Sequence, residues 1–308
     1  MKLDIIICVY NEEKSIGDLI ENLMFQRVPP EITSREIIVV ASGCTDGTVN
    51  VVKGLMSKYE GLRLIEEGER RGKASALNKA FSASNGDFVV LVPGDVYPAD
   101  EALYNLLLPF KDRRVSAVSG RPMQDPRKAP NGFIGYLANM TYRLWSRLML
   151  KLNDMGLASH CSGEFMAIRR DVKTYIPEEC AADDAYIAIS AKKHGLIKFA
   201  PKAVCFNLMP SNIRDYVNQR RRWLYGHFQT KKYTGEYPKV MDTIIFSKPT
   251  LALKVITEEI FEKPKNLLYL LGAMLVEAAI YTLSLIDQFL GRQYGVWPVI
   301  KSTKYGNS

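Results

Sequence analysis

Short β-branched runs alternate with helix-spaced apolar stretches through the first hundred residues. Ile5–Val9, Glu36–Val40, Arg63–Glu66 and Phe88–Val92 are each four or five residues long and bounded by turn chemistry, which predicts buried strands. Between the first two, Ile16, Leu19, Ile20 and Leu23 recur at helical spacing within Ser15–Phe25. Val49–Tyr59 and Ser75–Ala83 predict two further helices. Strand–helix alternation of this kind predicts an α/β fold with a central, mostly parallel sheet covered on both faces. In such sheets ligands gather at the carboxyl ends of strands. The polar clusters sit there: Tyr10 to Glu12 after the first strand, Ala41 to Asp46 after the second, Asp95 after the fourth.

The second half is less regular. Phe133, Leu137, Met140, Leu144 and Leu148 form an amphipathic pattern over Phe133–Leu152, with Arg143, Arg147 and Lys151 beside it. Two readings are open: a helix on a membrane surface with its basic residues toward headgroups, or an internal helix. Asp184–His194 predicts another helix, ended by Gly195, and residues 211–232 are strongly basic. Leu267–Ile286 is 20 residues with a single charge, Glu277. At about 1.5 Å per residue that spans a bilayer core of about 30 Å. Membrane association is expected, with a buried helix or an oligomer contact as the alternative. Lys263 and Lys265 on one flank, and Arg292, Lys301 and Lys304 on the other, set no orientation.

Composition narrows the class. The 308 residues carry 41 Lys and Arg against 33 Asp and Glu, a net +8, with 47% apolar and 24% charged positions. That excludes a disordered chain, a collagen-like fibre and a polytopic membrane protein. The excess of base favours anionic partners. Cys8, Cys44, Cys161, Cys180 and Cys205 are scattered, with no CxxC pair. They form neither a disulfide framework nor a zinc site, and suggest a reducing, cytoplasmic setting. The apolar run ending at Val9 is too short for a signal-peptide core.

Four acidic positions and one basic tract carry candidate chemistry. Asp46 lies in Thr45-Asp46-Gly47-Thr48, where capping of the next helix is the plain alternative. Asp95, at the mouth of a buried strand, suits a hard cation such as Mg²⁺ or Mn²⁺, or a simple turn. Asp183-Asp184 precedes a helix; either the pair caps it, or one acts as a general base whose proton affinity the other raises. In Gln219-Arg220-Arg221-Arg222-Trp223, guanidinium groups suit phosphate oxygens and the indole suits a sugar ring or a base. A nucleic-acid patch is the competing reading. No GxGxxG follows the first strand, which argues against a dinucleotide-dependent dehydrogenase.

Taken in order, these positions resemble the family 2 glycosyltransferases over roughly residues 3 to 228. The series runs Val9-Tyr10-Asn11-Glu12-Glu13, Thr45-Asp46-Gly47-Thr48, Gly72-Lys73-Ala74-Ser75-Ala76-Leu77-Asn78 and Asp95-Val96. It continues through Ser162-Gly163 leading to Arg169-Arg170, then Asp183-Asp184, then Gln219-x-x-Arg222-Trp223. The last pattern, QxxRW, is similar to the processive branch that includes cellulose, chitin and hyaluronan synthases. The resemblance implies a GT-A nucleotide-sugar-binding fold. Residues 1–232 would be catalytic, with a nucleotide half (1–100) and an acceptor half (101–232). A helical region, 233–308, would follow, with segment 267–286 at a membrane.

By the same resemblance, Tyr10, Asn11, Glu12, Ser42, Asp46 and Lys73 would bind the nucleotide, and Asp95 the Mg²⁺ or Mn²⁺ that bridges the donor diphosphate. Asp184 would be the base, and Gln219, Arg222 and Trp223 would bracket diphosphate and acceptor. The implied reaction is inverting transfer of a sugar from a nucleoside-diphosphate sugar to a saccharide or lipid-linked acceptor, at the cytoplasmic face of the membrane. No nucleic acid would take part, and the chain would be free to form a homo-oligomer. A polyprenyl-phosphate glycosyltransferase is the nearer alternative and a basic nucleic-acid-binding protein the remoter one. Three departures from the family pattern stand out. Ala41-Ser42 replaces an acidic pair, Pro93 replaces the first aspartate of DxD, and Asp183 replaces the TED glutamate.

Overall fold

The structure is a computed structural model and describes residues 1–262 and 264–304; Lys263, one of the expected flanks, and residues 305–308 lie outside the described residues. The first half runs β1 (Lys2–Val9), α1 (Ile16–Phe25), β2 (Ser34–Ser42), α2 (Thr48–Met56), β3 (Leu62–Glu67), α3 (Lys73–Ala83) and β4 (Phe88–Pro93). Then come β5 (Tyr97–Pro98), α4 (Ala102–Leu107), β6 (Val115–Gln124), α5 (Gly132–Asp154), β7 (Met166–Arg169), α6 (Asp183–Lys192) and β8 (Leu196–Asn207). Four helices follow: α7 (Ile213–Thr234), α8 (Met241–Ser247), α9 (Pro249–Glu262) and α10 (Leu267–Phe289).

One sheet holds the strands in the order β3-β2-β1-β4-β7-β6-β8-β5. The β3-β2-β1-β4 half is parallel throughout. Beyond β4 the sheet is mixed: β7 is antiparallel to both neighbours, β6 and β8 are parallel, and β5 is antiparallel to β8. Alternation along the strands explains the two-sided core. Ile5 and Ile7 of β1 pack on the α1 side with Ile37 and Val39 of β2. Ile6, Ile38 and Val40 point the other way, onto Leu77 and Ala80 of α3.

The helical end is tied by charge as well as by packing. Tyr136 and Leu137 of α5, Tyr216 and Leu224 of α7, and Leu270 and Ile280 of α10 share one apolar cluster. The basic stripe of α5 meets a helix and not lipid headgroups, which corrects the surface-helix reading. Arg143 donates to Glu259 at 3.1 Å, Arg147 to Glu259 at 2.7 Å and Lys151 to Glu258 at 2.6 Å, all on α9. A periodic pattern shows that a face is polar but not what lies against it. On α10, Glu277 accepts from Tyr216 at 2.8 Å and from Arg220 at 3.0 Å, and Asp287 pairs with Arg221. The charges within α10 therefore point at α7. Its outer face stays exposed and apolar, with Leu268 at 80% and Leu275 at 74% exposure. It is the one helix among the described residues long and apolar enough to cross a membrane.

Candidate active site

Side chains from the ends of β1, β2 and β4 converge on a small cavity of about 190 Å³. Tyr10, Glu12, Ser42, Lys73 and Asp95 line it. Asn11 and Asp46 do not; they hold the neighbouring loops together. Asn11, in the left-handed region (φ 54°) that Asn tolerates, accepts from the Thr45 N–H at 2.8 Å and donates to the Thr45 hydroxyl at 3.0 Å. Asp46 accepts from the Thr48 N–H at 3.0 Å in a local turn just before α2, but it is not the cap expected of it: the N-cap is Gly47.

The chain near the C-terminus roofs this cavity. Trp297, Pro298, Val299, Ile300, Thr303 and Lys304 form its far wall. The Trp297 carbonyl accepts from Arg70 at 2.6 Å, and Arg70 lies 4.2 Å over the Tyr10 ring. The Arg222 guanidinium packs 3.7 Å from the centre of the Trp297 ring. Lys304 donates to the Tyr10 carbonyl at 2.9 Å and pairs with Glu12. Gly72 (φ 93°) permits the close approach: a Cβ there would lie 2.4 Å from the Gly295 carbonyl oxygen.

A second cavity of about 650 Å³ adjoins the first. Lys73, Asp95, Gln219, Arg222 and Trp297 line both, while Asp183, Asp184 and Trp223 line only the larger one. Gln219, Arg222 and Trp223 are spaced i, i+3 and i+4 on α7, so one helix face presents all three. The intervening Arg220 and Arg221 point instead toward α10. Trp223 thus sits on the larger-cavity side, with Arg220 5.6 Å from its ring centre. The Gln219 Oε1 is buried without a hydrogen-bond partner.

Asp184 is held rigidly. Its Oδ2 accepts from the Gly163 N–H at 3.0 Å and its Oδ1 from the Ala185 N–H at 2.8 Å. Any Cβ at position 163 would stand 2.9 Å from that Oδ2, so the approach requires glycine. Burial opposes the Asp184 charge, but His160, Lys73, His227 and the Ala185 N–H outweigh it and hold the carboxyl below its usual range. The neighbour takes the upward shift: burial raises Asp183, against its 2.8 Å ion pair with Lys73. The expectation that the base of this pair gains proton affinity is corrected for Asp184, because His160, Lys73, His227 and the Ala185 N–H together outweigh its burial, whereas at Asp183 burial outweighs Lys73.

Burial together with the Asp95 charge pushes the Glu12 carboxyl up to about 7, against the pull of Lys304. Arg222 is drawn down by burial to about 10, against the attraction of Asp183, Asp184, Glu164 and Asp95. It stays charged at neutral pH. Four residues at the site escaped sequence reasoning: His160, Glu164, Trp297 and Lys304. His160 lies 3.8 Å from Asp184, with both ring nitrogens lacking hydrogen-bond partners, and burial pulls it down to about 4. Glu164 directly follows the Ser162-Gly163 pair, a signal that was available. Trp297 and Lys304 lie in a stretch without period and offered none.

Among the described residues no group of three His, Cys, Asp or Glu side chains is gathered for a metal. A cation shared with substrate phosphates needs only one or two carboxylates. Asp95, close enough to Glu12 for its charge to raise that carboxyl, fits that requirement.

Known proteins match along most of the chain. The family model described as glycosyl transferase family 2 matches residues 4–175, and that described as glycosyl transferase family group 2 matches residues 119–290. Poly-β-1,6-N-acetyl-D-glucosamine synthase of Staphylococcus epidermidis (strain RP62A) is 23% identical over 232 residues, 73% of this chain and 54% of its own. The synthase of Staphylococcus aureus (strain COL) is 25% identical over 229 residues, 72% and 53% respectively. The chain therefore spans about half the length of these relatives. Among solved structures, the Pyrobaculum calidifontis mannosyltransferase PcManGT, in complex with GDP-Man and Mn²⁺, superposes with a TM-score of 0.66 at 25% identity, covering 94% of this chain and 87% of its own. Staphylococcus aureus TarS 1-349 with UDP-GlcNAc shares the fold, with a TM-score of 0.53 at 17% identity, covering 95% and 93%.

Proposed function

The chain belongs to glycosyl transferase family 2, and on that premise we propose that it moves a sugar, with inversion, from a nucleoside-diphosphate sugar to a saccharide-bearing acceptor, in the synthase-like manner of QxxRW enzymes. One observation carries the reading: Asp95, Asp184, Arg222 and Trp223 line a single cavity that adjoins the pocket at the strand ends. The neighbour holding GDP-Man and Mn²⁺ supports a nucleotide-sugar donor with a divalent cation. The exposed apolar face of α10 supports attachment to a membrane.

In this reading Tyr10, Glu12, Ser42 and Lys73 receive the nucleotide, with Asn11 and Asp46 bracing their loops. Asp95 holds the cation, which supplies Lewis-acid neutralisation of the diphosphate when bound. The acceptor hydroxyl oxygen attacks the anomeric carbon and Asp184 takes its proton. The bond to the diphosphate breaks, and its electron pair leaves with the nucleotide. Arg222 meets the charge that develops there; preorganised charge of this kind is often the largest catalytic contribution. In the same reading Gln219 serves the diphosphate and Trp223 the acceptor, both from the inward face of α7.

Substitution Asp184→Asn tests the assignment. Transfer falls by about 10²–10⁴-fold, the usual range for a lost general base, while donor affinity measured by calorimetry persists. Equal loss of both would remove Asp184 from the role.

A further inference from the structure

Resting on the transferase reading above, we propose that the acceptor is an uncharged sugar carried on an aliphatic chain. Its hydroxyl lies at Asp184, and its hydrocarbon lies among α5, α8, α9 and α10. The 650 Å³ cavity is within the range of sites that enclose whole organic ligands. It does not end at the carboxylates. It continues between Met140 and Leu144 of α5, Ile256 of α9, Leu270 and Met274 of α10, and Phe246 of α8. Bare oligosaccharide would set its hydroxyls against these walls without partners, which is unfavourable.

Polar groups at this end are already occupied. Arg220 donates to Asp242 at 2.8 Å and to Glu277 at 3.0 Å, and His227 bonds Asp242 at 2.9 Å. The apolar end also opens outward. Phe246 is 68% and Met274 54% exposed, and exposed Leu271 and Leu275 continue the surface along α10. A chain leaving the cavity there passes onto the apolar face of α10, whose length and composition fit a bilayer.

Charge selects the head. The cavity carries Asp95, Glu164, Asp183, Asp184, Asp242 and Glu277 against Lys73, Arg220 and Arg222. Lys73 is held by Asp183 and Arg220 by its two carboxylates, which leaves Arg222 for the donor diphosphate. A phosphate at Asp184 would face net negative charge, whereas a sugar hydroxyl would not.

The experiment compares methyl and octyl β-glycosides of glucose and of N-acetylglucosamine, below their micellar concentrations, with farnesyl phosphate. The donors are UDP-GlcNAc and GDP-Man with Mn²⁺, and nucleoside diphosphate release and product mass are followed. The octyl glycoside is expected to show a KM at least 10-fold below that of its methyl counterpart. Met274→Asp is expected to cut that ratio to about two, a comparison made within one protein preparation. Equal KM values for methyl and octyl glycosides, or farnesyl phosphate as the best acceptor, would overturn the proposal. Failure of both donors to bind or to release nucleotide would instead overturn the transferase reading beneath it.

Discussion

The two adjoining cavities are made differently. The smaller is set by backbone: strand ends of a parallel sheet deliver Tyr10, Ser42 and Asp95, and the roof is a single irregular segment that ends in a 3-10 turn at Lys301–Thr303. Side chains on helices set the larger, and ion pairs with α10 and α9 hold those helices. A site hung on strand ends inherits the rigidity of the sheet core. A site between helices depends on each charged partner keeping its place, because an unpaired buried charge is costly. The halves meet at Asp95, Gln219 and Arg222, so a defect in either reaches the other.

The largest effect expected from breaking this contrast is on the helical side. Arg220→Met leaves Glu277 and Asp242 without the guanidinium they share and should lower stability by about 3–5 kcal/mol, read by denaturant unfolding. A loss below 1 kcal/mol would mean that the seam does not hold the larger cavity. Next is His160, which titrates near 4 in the fold and near 6.5 unfolded. Between those values the unfolded chain binds a proton that the native one lacks. The His160 contribution to stability should therefore fall by about 3 kcal/mol as pH drops from 6.5 to 4, while Glu12, raised to about 7, acts in the opposite direction over the same range. The stability advantage of the wild type over His160→Gln should shrink by that amount across this range in unfolding measurements, and a pH-independent difference would remove His160 as its source.

Smaller effects sharpen the contrast. Gly163→Ala pushes against Asp184, and displacement of a reacting group by about 1 Å can cost about 10²-fold. A 10- to 100-fold fall in kcat is expected, with the KM for donor unchanged; a fall in donor affinity would couple the two cavities more tightly than their geometry indicates. Lys304→Ala removes one tie of the roof to Glu12. Partly exposed pairs contribute about 1 kcal/mol or less, so donor affinity should tighten by about two- to five-fold. Weaker donor binding would show that Lys304 serves the nucleotide.

Legibility followed the same division. Strands β1 to β4 and helices α1 to α3 were readable because each is a buried run or a regular stripe with one answer. Glu36–Val40, for instance, lies inside β2 (Ser34–Ser42), and Leu267–Ile286 inside α10 (Leu267–Phe289). The antiparallel turn of the sheet at β7 left no signal, since four residues, Met166–Arg169, give no period to read. Arg143, Arg147 and Lys151 looked free for lipid because their partners Glu258 and Glu259 lie more than a hundred residues away. The candidate site was half visible. Asp95, Asp184 and the 219/222/223 spacing carry chemistry in their residue types, but which carboxyl of the 183–184 pair rises depends on burial at Asp183 and on His160 and His227 reaching Asp184 through the fold. The roof is aperiodic and joins the site only through the fold.

That roof has an optical consequence. The chain has three tryptophans, Trp145, Trp223 and Trp297, and only Trp297 borders the smaller cavity, with a guanidinium against its ring. The space beneath it, about 190 Å³, is below the 300–1,000 Å³ usual for a bound organic ligand. A nucleotide sugar seated here would meet the indole at the pocket wall and change the ring's surroundings. The ring's ultraviolet emission becomes a built-in titration signal that reports occupancy without a label, a coupled assay or turnover.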